Sequence, residues 1–244
     1  MDIIDQPKTT ELRKHLIKKK GFLKKIYLEW YNLIIKNLPK SQNKIIELGS
    51  GAGFFKDLLP NLITTDIIKL PWVDLKLDAR HLNFKKNYLD GIVMTNVFHH
   101  IPEASLFLED AQSYLKVNGK IIMIEPWPTL WSKFFYKNFH HEPFNLNAEW
   151  KFDDVGPLSG ANGALPWIIF KRDKKKFESK YSNLKIKKIE PFMPFSYIFS
   201  GGMTKFSLMP SFSYSLIRFL ENLLPNNYFS MFAYIEIVKV KSKK

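Results

Sequence analysis

The sequence predicts a doubly wound α/β fold, a mostly parallel sheet with helices on both faces, followed by a less regular C-terminal half. Between Lys44 and Glu125, short apolar runs of strand length alternate with helix-like segments, as parallel strands joined by covering helices require. A glycine-rich turn, Gly49-Ser50-Gly51-Ala52-Gly53, follows the first of these runs. The 244 residues, 45% hydrophobic and 25% charged, suffice to bury one full-sized core.

Taken in order, Leu12, Leu16, Leu23, Tyr27, Trp30, Ile34 and Leu38 recur at steps of three, four or seven and predict one or two amphipathic helices, broken at Gly21. The opposite face carries Arg13, Lys14, Lys18, Lys19, Lys20, Lys24 and Lys25. Such a stripe suits either peripheral contact with an anionic membrane or the wet face of a helical lid. Ile45 to Leu48, Leu62 to Asp66, Val73 to Leu77, Ile92 to Thr95 and Ile121 to Ile124 read as buried strands, with helices at Phe54 to Leu59 and Ala104 to Leu115. Leu184 to Ile189 and Phe232 to Val240 alternate as strands and suggest an antiparallel edge pair closing the sheet. The chain thus divides into an N-terminal helical lid (1–43), an α/β core (44–126), and insertions with closing strands of the same domain (127–244).

Composition narrows the chemistry. With no cysteine, a disulfide framework, a thiolate zinc site and a cysteine nucleophile are excluded. No run approaches the roughly 18 apolar residues of a membrane span, and the N-terminus lacks the pattern of a secretory signal, so a cytoplasmic protein is expected. The formal charge of +14 would help approach to nucleic acid, anionic lipid or a phosphorylated substrate, but a solvated lysine-rich surface is the simpler account of it.

The segment from Ile45 to Phe55 reads as strand, glycine turn, helix. A glycine turn at the carboxyl end of the first strand lets the backbone approach a nucleotide-like ligand. A dinucleotide fingerprint needs a third Gly or Ala where Phe54 stands, and Glu47 would repel a pyrophosphate. The carboxylate suits a ligand bearing an amino group and a sulfonium.

Here the chain resembles the class I S-adenosylmethionine-dependent methyltransferases, whose first motif is an acidic residue followed by G-x-G-x-G. The likeness continues in order. Asp66 stands where family members place the acidic residue that accepts both ribose hydroxyls, and Asp78-Ala79 matches the pair that meets the adenine. His99-His100-Ile101-Pro102 is common in the subgroup similar to ubiquinone and menaquinone methyltransferases, and the fifth strand ends in Glu125-Pro126, another familiar feature. The resemblance implies a seven-stranded Rossmann-like sheet and S-adenosyl-L-methionine as cofactor, leaving as S-adenosyl-L-homocysteine. It implies a cofactor site of Glu47, Gly49, Ser50, Gly51, Gly53, Asp66, Ile67, Asp78, Ala79, Asn96 and Val97.

Methyl transfer from a sulfonium demands alignment and exclusion of water, and a hydroxyl acceptor gains from a base poised near neutrality. His141, His140 and His100 are the candidates, with His99 read as a packing or loop residue. A metal site from these histidines and Glu142 is conceivable, but no helical His-x-x-x-His occurs and no metal is expected. Trp150, Gly160 to Gly163, Tyr197 and Ser200-Gly201-Gly202 are candidates for a pocket wall or for turn punctuation, and residues 206–224 for a pocket lid, an interfacial helix or core packing. The expected activity is methylation of a small-molecule, lipid or saccharide acceptor, most simply on oxygen. The alternatives are a nucleic-acid methyltransferase, against which the chain lacks an Asn/Asp-Pro-Pro-Tyr/Phe segment, and a catalytically inactive cofactor-binding scaffold.

Overall fold

In the computed structural model, which describes residues 3–241, the sheet is organised by alternation of side chains. Its strands are β1 (Ile45–Leu48), β2 (Ile63–Asp66), β3 (Leu75–Lys76), β4 (Leu89–Thr95), β5 (Leu115–Pro126), β6 (Leu184–Phe192) and β7 (Phe232–Lys239), in the spatial order β3-β2-β1-β4-β5-β7-β6. β1 to β5 are mutually parallel, and β7 runs antiparallel to both of its neighbours. Ile45, Val93, Ile122, Ile124, Phe232 and Tyr234 point to one face, while Ile46, Ile92, Ile121, Met123, Ala233 and Ile235 point to the other. This period of two supplies both apolar layers from the same strands.

Helix α1 (Pro7–Lys19) begins on a proline, pre-set for a first helical turn, and α2 (Gly21–Asn37) follows after a one-residue break at Lys20. In α2 the buried residues Phe22, Leu23, Ile26, Tyr27, Trp30, Tyr31 and Ile34 form a stripe that packs on the first face of the sheet. At about 1.5–3 kcal/mol for each large apolar side chain buried, this stripe makes α2 part of the core, not a detachable cover. α3 (Ala104–Tyr114) covers the opposite face through Ala104, Phe107, Leu108 and Ala111. α4 (Leu130–Phe139) opens the C-terminal insertion with a reciprocal cap between Thr129 and Ser132.

Three expectations change. The helix expected at Phe54 to Leu59 is a single 3-10 turn, Phe55–Asp57. Phe55 stacks on Tyr31 at 4.5 Å and Phe54 meets the same ring edge-on at 5.1 Å, so the aromatic pair is drawn into the α2 layer. Pro60 disfavours helical backbone at the residue before it. The second correction concerns Val73 to Leu77, read as a buried strand, of which only Leu75–Lys76 pairs with β2 and both residues are exposed, whereas the expected antiparallel pair does close the sheet, with β7 inside the edge strand β6. Third, the basic stripe is only partly solvated: Lys20 is buried and donates to the carbonyls of Gly202 (2.8 Å) and Thr204 (3.0 Å), and Lys14 lies 4.5 Å over the Trp72 ring. Among the described residues, no helix is long and apolar enough to cross a membrane.

Candidate active site

A cavity of about 830 Å³ opens at the carboxyl ends of β1, β2 and β4, roofed by α1 and walled by α4 and the 197–208 segment. Every residue expected beside a cofactor lines it except Ser50, whose hydroxyl donates to the Glu47 carbonyl and accepts from Thr65 N, tying β1 to β2. Gly49 has φ +66°, and a Cβ there would lie 2.4 Å from Val97. A side chain at Gly51 would strike Thr10 of α1 (2.7 Å) and Asp66 (2.8 Å), and one at Gly53 would strike the Tyr31 hydroxyl (2.6 Å). The glycines therefore let α1, α2 and the strand-end carboxylate close around the turn.

The carboxylates differ in how they are held. Burial pushes the Glu47 carboxyl up to about 7, Asp66 adds to the rise, and the Ser50 hydroxyl offsets part of it. Asp66 is raised by burial too, against hydrogen bonds from Ile68 N (2.8 Å) and Gly51 N (2.9 Å). Burial would also raise Asp78, but the Arg80 guanidinium, 2.6 Å away, holds it below the usual range; Arg80 bridges on to Asp154 at 2.6 Å.

The opposite wall is aromatic and imidazole-rich, with Phe135, Tyr136, Phe139 and Tyr197 beside His99, His100, His140 and His141. All three predicted histidines reach the cavity, His141 at its exposed rim. His99, expected to be mere packing, is the most deeply placed: 2% exposed, its Nδ1 lies 2.6 Å from Glu125 Oε2 and its Nε2 3.4 Å from Glu142 Oε2. Burial alone would push His99 down; Glu125 and Glu142 outweigh it and push it up to about 10. For His100 burial prevails, aided by the charge on His99, and pushes it down to about 4. Burial also lowers His140. Burial would raise Glu142, but His99 and the neighbouring imidazoles hold it well below the usual carboxylate range.

Sequence reasoning missed Glu142 as the point where the imidazoles converge and Glu125 as the anchor of the loop after β4, which accepts Val97 N (2.9 Å) and Phe98 N (2.8 Å). Tyr197, Gly201 and Gly202 do form wall. Trp150 is packed in the core and donates to Asp173, and Asn162 cross-links to Asn145, so both serve structure. The N-terminus is fastened over the cavity by buried Asp5, which accepts from Leu158 N (2.7 Å), Ser159 N (3.0 Å) and the Ser159 hydroxyl (2.7 Å).

Residues 46–123 match the family described as Methyltransferase domain. The core of this chain is a class I S-adenosylmethionine-dependent methyltransferase domain. A curated relative, a probable polyketide synthase 10 of Dictyostelium discoideum, is 25% identical over 83 residues, which is 34% of this chain and 3% of that protein. The chain therefore spans a small part of that relative's length. Among solved structures, a SAM-dependent methyltransferase from Archaeoglobus fulgidus superposes with a TM-score of 0.54 at 20% identity, covering 88% of this chain and 93% of the other. The geranyl diphosphate C-methyltransferase of Streptomyces coelicolor A3(2), in complex with Mg2+, geranyl diphosphate and S-adenosyl-L-homocysteine, superposes with a TM-score of 0.56 at 11% identity, covering 93% and 83%. These likenesses are of fold.

The residues present in the methyltransferase domain fit the cofactor. Thr10 Oγ1, Thr95 Oγ1 and Asn96 Oδ1 are buried polar atoms without a hydrogen-bond partner, and all three residues line the cavity. Asn96 is also held at φ +55°, a left-handed conformation that asparagine tolerates better than most residues. Buried polar groups of this kind mark a place where a ligand completes the hydrogen bonding.

Proposed function

We propose that this protein methylates an apolar or ring-bearing small molecule or lipid, on oxygen, using S-adenosylmethionine held in the crevice of β1, β2 and β4. The observation that carries this reading is the set of orphaned polar atoms at Thr10, Thr95 and Asn96 facing the buried carboxylates Glu47 and Asp66 across one cavity. When bound, the cofactor supplies an electrophilic methyl group on a cationic sulfur. Glu47 pairs with the amino group of its methionine portion, and Asp66, with lone pairs to spare beyond its two backbone donors, accepts from the ribose. Asp78 and Ala79 border the adenine, and α1 serves as a lid that excludes water. His100 and His140, both kept neutral near pH 7 by burial, are able to take a proton from an acceptor hydroxyl, and His141 at the rim connects them to solvent.

A lipid acceptor is favoured by the mouth of the cavity. Phe139, Phe206 and Leu208 line it yet are largely exposed, and Phe212, Leu216, Phe219 and Leu223 extend the exposed apolar surface. Lys25 donates to the Ser211 carbonyl at 2.8 Å, fixing this surface beside exposed Lys18, Lys19 and Lys24, a combination suited to an anionic bilayer. Calorimetry tests the cofactor assignment: wild type should release heat with S-adenosylmethionine and with S-adenosylhomocysteine, and Asp66→Ala should bind at least about 100-fold more weakly, as expected for two charge-assisted hydrogen bonds lost. Absent heats in wild type would remove the reading. Co-flotation with phosphatidylserine vesicles, lost in Phe212→Glu/Phe219→Glu, tests the lipid surface.

A further inference from the structure

His99, His100 and Glu142 lie on two separate segments, the turn after β4 and the loop after α4, and their ligand atoms fall within 4.8 Å of one another. How the rings are held decides what they offer. Glu125 is an acceptor for His99 Nδ1 at 2.6 Å, and the Gly160 carbonyl is one for His100 Nδ1 at 2.9 Å. Each Nδ1 therefore carries a proton; His100 Nε2 presents its lone pair, and His99 Nε2 does so once a metal displaces the second proton that this ring shares with Glu142. Both Nε2 atoms face the same carboxylate: His99 Nε2 is 3.4 Å from Glu142 Oε2, and His100 Nε2 is 3.7 Å from Glu142 Oε1.

A carboxylate and a backbone carbonyl fixing Nδ1, with Nε2 turned inward, is the outer-shell arrangement that orients metal-bound histidines. The spacing agrees. With metal–nitrogen and metal–oxygen bonds of about 2.0–2.2 Å, tetrahedral donors stand about 3.3–3.5 Å apart. The two histidine–carboxylate separations, made to opposite oxygens of Glu142, approach that value, and the set as a whole, within 4.8 Å, contracts onto a bound ion by small side-chain rotations. We infer that His99, His100 and Glu142 form a binding site for one divalent first-row transition metal, with its open position facing the cavity. Two imidazoles and one carboxylate select zinc, iron, cobalt or nickel over magnesium and calcium, which prefer all-oxygen sets.

The open position takes an oxygen donor, water or the acceptor's hydroxyl. Binding there weakens its O–H bond; the electron pair stays on oxygen and the proton passes to His140, the base left free when His100 holds the metal, and on to solvent past exposed His141. This role toward an acceptor rests on the methyl-transfer reading, whereas metal binding does not.

The test is equilibrium dialysis of protein without an affinity tag, stripped with chelator and then exposed to Zn2+ or to Co2+, whose visible absorption bands report a nitrogen–oxygen site of low coordination number. Wild type should retain one equivalent of either ion with no S-adenosylmethionine present. His100→Ala and Glu142→Gln should each weaken binding at least about 100-fold and lose the Co2+ bands, with thermal unfolding of the metal-free variants confirming that they fold. Glu125→Gln gives a finer reading. It keeps an acceptor for the backbone amides but is able to donate to His99 Nδ1, moving the ring proton to Nε2, so affinity should fall about 10–100-fold. Sub-stoichiometric binding by wild type, or unchanged binding in both His100→Ala and Glu142→Gln, would overturn the site and leave an imidazole–carboxylate network. If metal binds and S-adenosylmethionine gives no heat, the site stands and the proposed activity falls.

Discussion

Two buried glutamates, each at the carboxyl end of a parallel strand, have been treated in opposite ways. Glu125 at the end of β5 receives two backbone N–H groups and an imidazole. Glu47 at the end of β1, only 3% exposed, is left in surroundings that raise its proton affinity. The first carboxylate is satisfied by the chain itself and holds a loop in place. The second is at odds with its surroundings, as fits the cation-binding role that we propose for it.

Removing each group should therefore move stability in opposite directions. The largest effect expected is from Glu125→Ala, which strands two amide donors and His99 in the core; unfolding in urea should show a loss of about 3–5 kcal/mol. Glu47→Gln should do the reverse. The folded-state value near 7 lies above the ordinary 4.5, so between those values the native state holds the extra proton and wild-type stability falls as pH rises, the cost being complete above pH 7. The glutamine variant should be more stable than wild type by up to about 3 kcal/mol at pH 8, and little different at pH 4.5, while binding S-adenosylmethionine more weakly. Equal pH profiles for the two proteins would erase the contrast.

Smaller effects sharpen it. Gly53→Ala places a methyl against the Tyr31 hydroxyl and should cost about 1–3 kcal/mol; Tyr31→Phe in the same chain should recover part of that, a coupling readable in a double-mutant cycle. Smallest is Arg80→Ala. The Asp78–Arg80 pair is about a quarter exposed, so the variant should fall within about 1 kcal/mol of wild type in thermal unfolding.

That the residues expected beside a cofactor meet at one cavity was legible because their determinants are local. Glu47 precedes the glycine turn by two residues, and Asp66 and Asp78 follow strand-like runs, so spacing along the chain equals placement in space. β1 was read with its observed ends, and the α3 helix ended one residue early. The histidine wall was half legible. His100, His140 and His141 were named, but Glu142 draws together segments some 40 residues apart, and no periodicity encodes such a meeting. His99 looked like packing because deep burial and central placement give the same sequence signal. The missing helix after β1 had another cause: Phe54 and Phe55 satisfy helical patterning, and alongside Pro60 the Tyr31 ring on α2, remote in sequence, makes an aromatic stack the better arrangement.

The fastening of the N-terminus by Asp5 bears on turnover. Thr10 on α1 sits against the glycine turn, and three hydrogen bonds tie the stretch before α1 to Leu158 and Ser159. Those hydrogen bonds hold α1 over the cavity in which we propose that the cofactor sits, so exchange of a ligand through that roof would require them to break. Asp5→Ala should then loosen the roof, read as faster amide hydrogen exchange along α1.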